Sequence, residues 1–125
     1  MSGPVSVVLV DDHQIVREGL RTLFADEPGI RVVGEAGGAA EGFDVAAALR
    51  PDVVLLDIGM PKLNGYDVCR QIREQPWGRD ILIVAVTGWG QEGDKRRARE
   101  AGFDHHLTKP VDPADLQKLL ASVLV

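Results

Sequence analysis

Pro51-Asp52-Val53-Val54-Leu55-Leu56-Asp57-Ile58-Gly59-Met60-Pro61 is the stretch from which the fold can be read. Val53 to Leu56 form a short unbroken apolar run, too short for a helix and rich in Val and Leu. That pattern predicts a strand buried on both faces, as in parallel sheets covered by helices on either side. The run ends in Asp57. A carboxylate there is costly unless another group compensates its charge. Gly59 and Pro61 follow and mark a loop in which backbone groups can approach a ligand closely.

Outward from this strand, apolar runs and helical periods alternate. Val5-Ser6-Val7-Val8-Leu9-Val10 is a first strand that Asp11-Asp12 terminates. Ile15, Val16, Gly19, Leu20, Leu23 and Phe24 recur at helical spacing until Pro28-Gly29. Arg31 to Glu35 is a shorter, more polar strand. Ala39 to Leu49 is an Ala-rich helix ended by Pro51, with Phe43 its largest apolar side chain. Beyond Asp57, Tyr66, Cys69 and Ile72 share one helical face, and Trp77 to Asp80 reads as a loop. Ile81 to Val86 is the most apolar run and predicts a central strand. Gln91 to Ala101 is a charged helix with Ala98 and Ala101 as core candidates, and Phe103 to Leu107 is a weak last strand. Asp112 and Pro113 start a final helix whose inner stripe is Leu116, Leu119, Leu120 and Val123.

Five alternating β and α units with short connections predict an α/β fold: a flavodoxin-like, doubly wound parallel sheet with helices on both faces. The apolar strands one, three and four belong in the middle and the polar strands two and five at the edges. Strand order 2-1-3-4-5 satisfies this. The 125 residues are 45% hydrophobic and 26% charged, which suits one domain spanning 1–125. A net charge of −5 argues against direct nucleic-acid binding and against an anionic membrane surface. A lone cysteine, Cys69, excludes an internal disulfide and a cysteine metal cluster, and reads as a small core residue. The first residues do not form a signal peptide, and no apolar run reaches the ~18 residues of a membrane span, so a cytoplasmic protein is expected.

Ligands of an open parallel sheet bind beyond the carboxyl ends of its strands, at the point where strand order switches. Strand one delivers Asp11 and Asp12 there, strand three Asp57, strand four Thr87 and strand five Lys109. Three carboxylates in a small site require a strong counter-charge, and one lysine is too little. An oxygen-only donor set points to a hard divalent cation, Mg²⁺ or alternatively Mn²⁺. Lys109 and Thr87 are suited to donate to phosphoryl oxygens. The chemistry that fits is phosphoryl transfer, with Asp57 as nucleophile because it ends the most buried of the carboxylate-bearing strands.

Asp11-Asp12, Asp57 with Met60-Pro61 and Asn64-Gly65, Thr87-Gly88 and Lys109-Pro110, in this order and spacing, resemble the receiver domain of two-component response regulators over the whole chain. Val8 to His13 with Arg17 to Leu20 look like receivers of helix-turn-helix regulators. Thr87 to Glu92 and Gly102 to Leu107 look like receivers of hybrid sensor kinases. The resemblance implies a phosphorylation-activated switch of a two-component or phosphorelay system, not an enzyme acting on a free substrate. Asp57 would take a phosphoryl group from a histidine of a kinase or phosphotransfer domain. Asp12, Asp57 and the Gly59 carbonyl would ligate Mg²⁺, with Asp11 acting largely through water. Lys109 would pair with the phosphoryl group, Lys109-Pro110 would carry a cis peptide, and Thr87 would turn inward on phosphorylation. The region of helix 91–101 would then favour an output partner, whose identity the residues do not specify. Homodimerisation through the last helices is a further arrangement the resemblance allows.

Two positions depart from the family pattern. His106 stands three residues before the site lysine, where Tyr or Phe is usual, so the coupling of Thr87 to this side chain is expected to be altered and pH-dependent near neutrality. Trp89, two residues past Thr87, is bulky, while Gly59 brings no side chain, so the lifetime of a phosphoryl group at Asp57 is expected to respond to Trp89→Ala.

Blander readings compete at several positions. Asp11-Asp12 alone reads equally as a solvated turn, Thr87 as a strand-end hydroxyl and Lys109 as a surface residue. His13 reads as a helix-start residue. His105-His106 is a poor metal pair because adjacent strand residues face opposite ways. The basic run Lys95-Arg96-Arg97 with Arg99 reads as a solvated helix face interleaved with acids. A Mg²⁺-dependent phosphatase with an aspartyl intermediate would want a general acid where Gly59 stands. A nucleotide-binding module would want a Gly-x-Gly-x-x-Gly turn after strand one or a Walker-type Gly-Lys-Ser/Thr, and the chain has neither.

Overall fold

The computed structural model describes residues 4–58, 65–87, 95–109 and 111–124. Five strands, β1 (Val5–Val10), β2 (Ile30–Ala36), β3 (Val53–Asp57), β4 (Leu82–Thr87) and β5 (His105–Thr108), form one sheet in the order β2-β1-β3-β4-β5. Every neighbouring pair is parallel. Helices α1 (Gln14–Ala25), α2 (Ala39–Leu49), α3 (Gly65–Glu74), α4 (Lys95–Ala101) and α5 (Pro113–Leu124) connect or follow the strands. This is the doubly wound, flavodoxin-like arrangement the alternation predicts.

Side chains of successive strand residues enter two separate cores, because a strand alternates its faces. Val7, Leu9, Val53, Leu55, Leu82, Val84 and Val86 pack with Leu20 and Phe24 of α1 and Leu116 and Leu120 of α5. Val8, Val10, Val54, Leu56, Ile83 and Ala85 pack on the other face with Ala46 of α2, Cys69 and Ile72 of α3, and Ala98 and Ala101 of α4. β3 and β4 are buried along their full lengths. Edge strand β5 is not, which is why its sequence can be polar. Burial pushes the Cys69 thiol up to about 12, so it is an inert core residue.

Some local expectations need correcting. β5 begins at His105, not Phe103. Phe103 instead turns into the core and meets the Tyr66 ring edge-on, with centroids 6.2 Å apart. Gly102 makes that turn possible: it ends α4 at φ 109°, a backbone conformation L side chains rarely adopt. Pro76–Gly78 is a turn of 3₁₀ helix where a loop is predicted. β2 extends one residue further at each end, and β4 starts at Leu82 rather than Ile81. On α1, Leu20 and Phe24 are buried, but Ile15 is 82% exposed and Leu23 45%, so the inward stripe is narrower than its apolar spacing. Of the helix expected over 91–101, the described part is α4. Gly59, Trp89, Pro110 and the cis peptide expected before Pro110 lie outside the described residues.

Candidate functional site

Strand order reverses between β1 and β3, and the register there sets the site. Val10 pairs with Leu56, so Asp11 and Asp57 emerge side by side. Three backbone hydrogen bonds hold the strand ends: the Asp11 N–H donates to the Ala36 carbonyl (3.0 Å), Ile58 to Val86 (3.2 Å) and Lys109 to Thr87 (2.7 Å). The last draws the end of β5 toward the site. There the Lys109 ammonium donates to Asp57 Oδ2 at 2.6 Å and to Asp11 Oδ2 at 3.0 Å. α3 closes from the other side. A Cβ on Gly65 would lie 2.9 Å from Ile58 Cγ2 and 3.1 Å from the Asp57 carbonyl oxygen, so only glycine allows α3 to start this close to β3.

Asp11 and Asp57 are both buried. Burial alone would raise the Asp11 carboxyl, but the His13 backbone N–H (2.9 Å) and the Lys109 ammonium outweigh it and hold the pKa below 3.8. For Lys109, burial works against the charge, and the hydrogen bonds and charges of Asp57 and Asp11 win, holding its pKa above 10.5. One ammonium therefore clamps two carboxylates.

Asp12 and His13 complete the cluster. His13 Nδ1 lies 2.9 Å from Asp12 Oδ1 and 3.2 Å from Asp11 Oδ1. Ligand atoms of Asp11, Asp12, His13 and Asp57 all fall within 4.8 Å of one another. Three carboxylates against one ammonium leave a formal excess of two negative charges, which matches a divalent cation. The oxygen-dominated donors suit Mg²⁺. The residues therefore fit the ion the sequence predicts. From below, the Arg17 guanidinium donates to the Asp11 carbonyl and pairs with Glu35 (3.2 Å), fixing the turn that presents Asp11 and Asp12.

Thr87 ends β4 fully buried, and its Oγ1 lies 2.7 Å from His106 Nε2 on β5. The pairing of Ala85 with His106 and of Thr87 with Thr108 places both side chains on one face of the sheet. Thus the structure gathers Asp11, Asp12, Asp57 and Lys109 at one point and joins Thr87 to His106 beside it. Two participants escape the sequence reading. His13 reads as a helix start, yet as the N-cap of α1 it makes no side-chain capping bond and its ring faces the aspartates. Arg17 lies inside a helical period, and its partners are distant in sequence.

Comparisons with known proteins agree with this geometry. Residues 7–121 match the sequence family described as the response regulator receiver domain. The chain is 37% identical over 117 residues to the nitrate/nitrite response regulator protein NarL of Escherichia coli K12, covering 94% of this chain and 53% of NarL. It therefore spans about half the length of that relative. Among solved structures, a two-component response regulator of the LuxR family from Aurantimonas superposes with a TM-score of 0.85 at 35% identity, over 98% of this chain and 86% of that one. The receiver domain of a Pseudomonas aeruginosa sensor histidine kinase, with a magnesium ion coordinated in its active-site cleft, superposes with a TM-score of 0.82 at 29% identity. That likeness covers 96% of this chain and 97% of the kinase receiver.

Proposed function

The chain belongs to the response regulator receiver domain family, signalling switches phosphorylated on an aspartate with Mg²⁺, and from that premise we propose that Asp57 is its phosphoryl acceptor. The observation that carries the assignment is the Lys109 ammonium, which bridges Asp57 and Asp11 at the switch point of the sheet. Asp57 ends a strand that is buried throughout, so its carboxylate is held in one place for in-line attack. A carboxylate oxygen of Asp57 bonds to phosphorus as the bond from phosphorus to a donor imidazole nitrogen breaks, and the bonding pair leaves with that nitrogen. Lys109 then shares its protons with the phosphoryl oxygens, where the new charge lies. The Thr87 hydroxyl, at the end of the adjacent strand, is a second donor.

Asp11, Asp12, Asp57 and the Gly59 carbonyl would hold Mg²⁺, or Mn²⁺ in its place, with Asp11 acting largely through water. Such an ion, when bound, neutralises charge on the transferred group. The donor is a phosphohistidine of a histidine kinase or phosphotransfer domain. The chain, as one receiver domain over 1–125, acts on no substrate but itself in the cytoplasm. Phosphorylation moves Thr87, His106 and the α4 region toward a partner-binding state, and dimerisation through the last helices is one form that state can take. No helix among the described residues is long and apolar enough to cross a membrane.

Incubation with acetyl phosphate and Mg²⁺, read by intact mass, tests this reading. One phosphoryl group per chain is expected, absent in Asp57→Asn and after removal of the metal with EDTA. Rapid repeated turnover with no phosphorylated protein accumulating contradicts it, as does labelling that survives in Asp57→Asn.

A further inference from the structure

The hydroxyl of Thr87 has one proton to give. It is buried, and its oxygen sits 2.7 Å from His106 Nε2, a full hydrogen bond. Which atom donates decides what the hydroxyl offers elsewhere. When Nε2 is bare, Thr87 spends its proton on His106 and presents only lone pairs to any other group. Phosphoryl oxygens are acceptors, so lone pairs would then face lone pairs. When Nε2 carries a proton, the ring donates to Oγ1 and the Thr87 proton is released to point elsewhere. Donation into Oγ1 also polarises the Thr87 O–H bond and makes it the better donor.

We propose that His106 is a positioning residue for the phosphoryl step: through its Nε2 bond to Thr87 it sets whether the Thr87 hydroxyl can donate to a phosphoryl group on Asp57. The inference rests on the reading of Asp57 as acceptor and Thr87 as donor, and it deepens that reading. The register supports it. His106 pairs with Ala85, one pleat before Thr87 on the same face, so only a side chain with a polar atom at its tip spans the diagonal. A Phe ring at this position offers no atom that can take either role.

The surroundings favour a change of tautomer over a permanent charge. His106 is half-buried and borders a small cleft of about 90 Å³ between α4 and β5. Among the described residues, the charged and titratable groups lining that cleft with it are Arg99 of α4 and Asp104 and His105 of its own segment. Arg99 opposes an imidazolium. Asp104, the one acid, is engaged by Arg73 at 2.5 Å and by the Ile83 N–H at 2.9 Å. Moving the ring proton from Nδ1 to Nε2 reverses the Thr87 bond without adding charge. By linkage, a phosphoryl group that favours the Nε2–H form is itself favoured by that form to the same extent.

The test is ¹⁵N NMR of the imidazole in protein with Mg²⁺ alone and with Mg²⁺ plus beryllofluoride, a mimic of the phosphoryl group on a carboxylate. The His106 Nε2 signal is expected to move from the bare-nitrogen range to the N–H range on loading. Calorimetric affinities for beryllofluoride supply the second readout. Because Phe can neither take the Thr87 proton nor donate to Oγ1, His106→Phe is expected to shift the affinity only through Thr87, by no more than about tenfold, the scale of one hydrogen bond to a charged acceptor. His106→Gln, whose amide can donate, is expected to retain it, and in a Thr87→Val background His106→Phe is expected to change nothing further. An unmoved Nε2, or an equal shift in the Thr87→Val background, overturns the inference while leaving Asp57 in place. Beryllofluoride binding that is absent in the unmodified protein, or that persists in Asp57→Asn, overturns the Asp57 reading and this inference with it.

Discussion

Lys109 reaches two carboxylates at once, so its removal acts on both. In Lys109→Met, Asp11 and Asp57 face each other as like charges, and the Asp11 pKa is expected to rise, measurable by carboxyl NMR. The pH dependence follows from the direction of each shift. Asp11 is held below 3.8, so its contribution to stability is present above that value and is lost as pH falls through the lowered one. Lys109 is held above 10.5, so its contribution is whole below that value and is lost as pH rises through the raised one. The stability gap between the unmodified protein and Lys109→Met is therefore expected to be flat from roughly pH 5 to 9 and to shrink in acid. Denaturant titrations that give the same gap at pH 2 and pH 7 contradict this. The site residues are legible in sequence because each follows an apolar run: Asp11 and Asp12 after Val10, Asp57 after Leu56, Thr87 after Val86. The His13 ring is not, because its direction depends on the turn after Asp12 and on which carboxylates that turn brings near.

Among the elements, the C-terminal end of α3 is tied down by a single side chain. Arg73, 19% exposed, donates to the carbonyls of Gly102 (2.9 Å), Gly78 (2.8 Å) and Ile81 (2.6 Å) and pairs with Asp104 (2.5 Å). It thereby joins α3, the 3₁₀ turn, the start of β4 and the α4–β5 turn. Arg73→Ala takes a donor from each of these carbonyls and breaks the ion pair with Asp104, and is expected to cost about 2–3 kcal/mol in urea unfolding. A loss under ~0.5 kcal/mol contradicts the assigned role. α4 presents the opposite case. Its described buried side chains are Ala98 and Ala101, with Arg97 stacked 4.3 Å over the Tyr66 ring. Such small anchors hold a helix weakly, so its amides are expected to exchange faster than those of β4. Equal protection of the two would refute that. Element order and type were readable because the strands are apolar runs and the helices amphipathic periods. The start of β5 was not: Phe103 has the residue type of a strand, and only the distant Tyr66 ring and the Gly102 turn place it in the core.

At the scale of the whole molecule, two apolar cores flank a sheet whose carboxyl edge concentrates negative charge. That edge is a local cost which the rest of the fold tolerates, and a divalent cation should relieve it. Mg²⁺ at 100 times its Kd is expected to stabilise the protein by about 2.7 kcal/mol, raising Tm by roughly 10 °C. The same addition should do little for a variant with Asp11, Asp12 and Asp57 all replaced by Asn. An equal rise in both proteins would place the ion elsewhere.

On the proposed function, a phosphoryl group becomes bonded to one carboxylate, that of Asp57. Borohydride reduction of protein treated with acetyl phosphate and Mg²⁺ tests it most directly, because it converts an acyl phosphate to the alcohol. Peptide mass spectrometry is predicted to find homoserine in place of Asp57, with Asp11 and Asp12 intact and no product without Mg²⁺. Homoserine at another aspartate, or phosphorylated protein with Asp57 unreduced, would contradict the account.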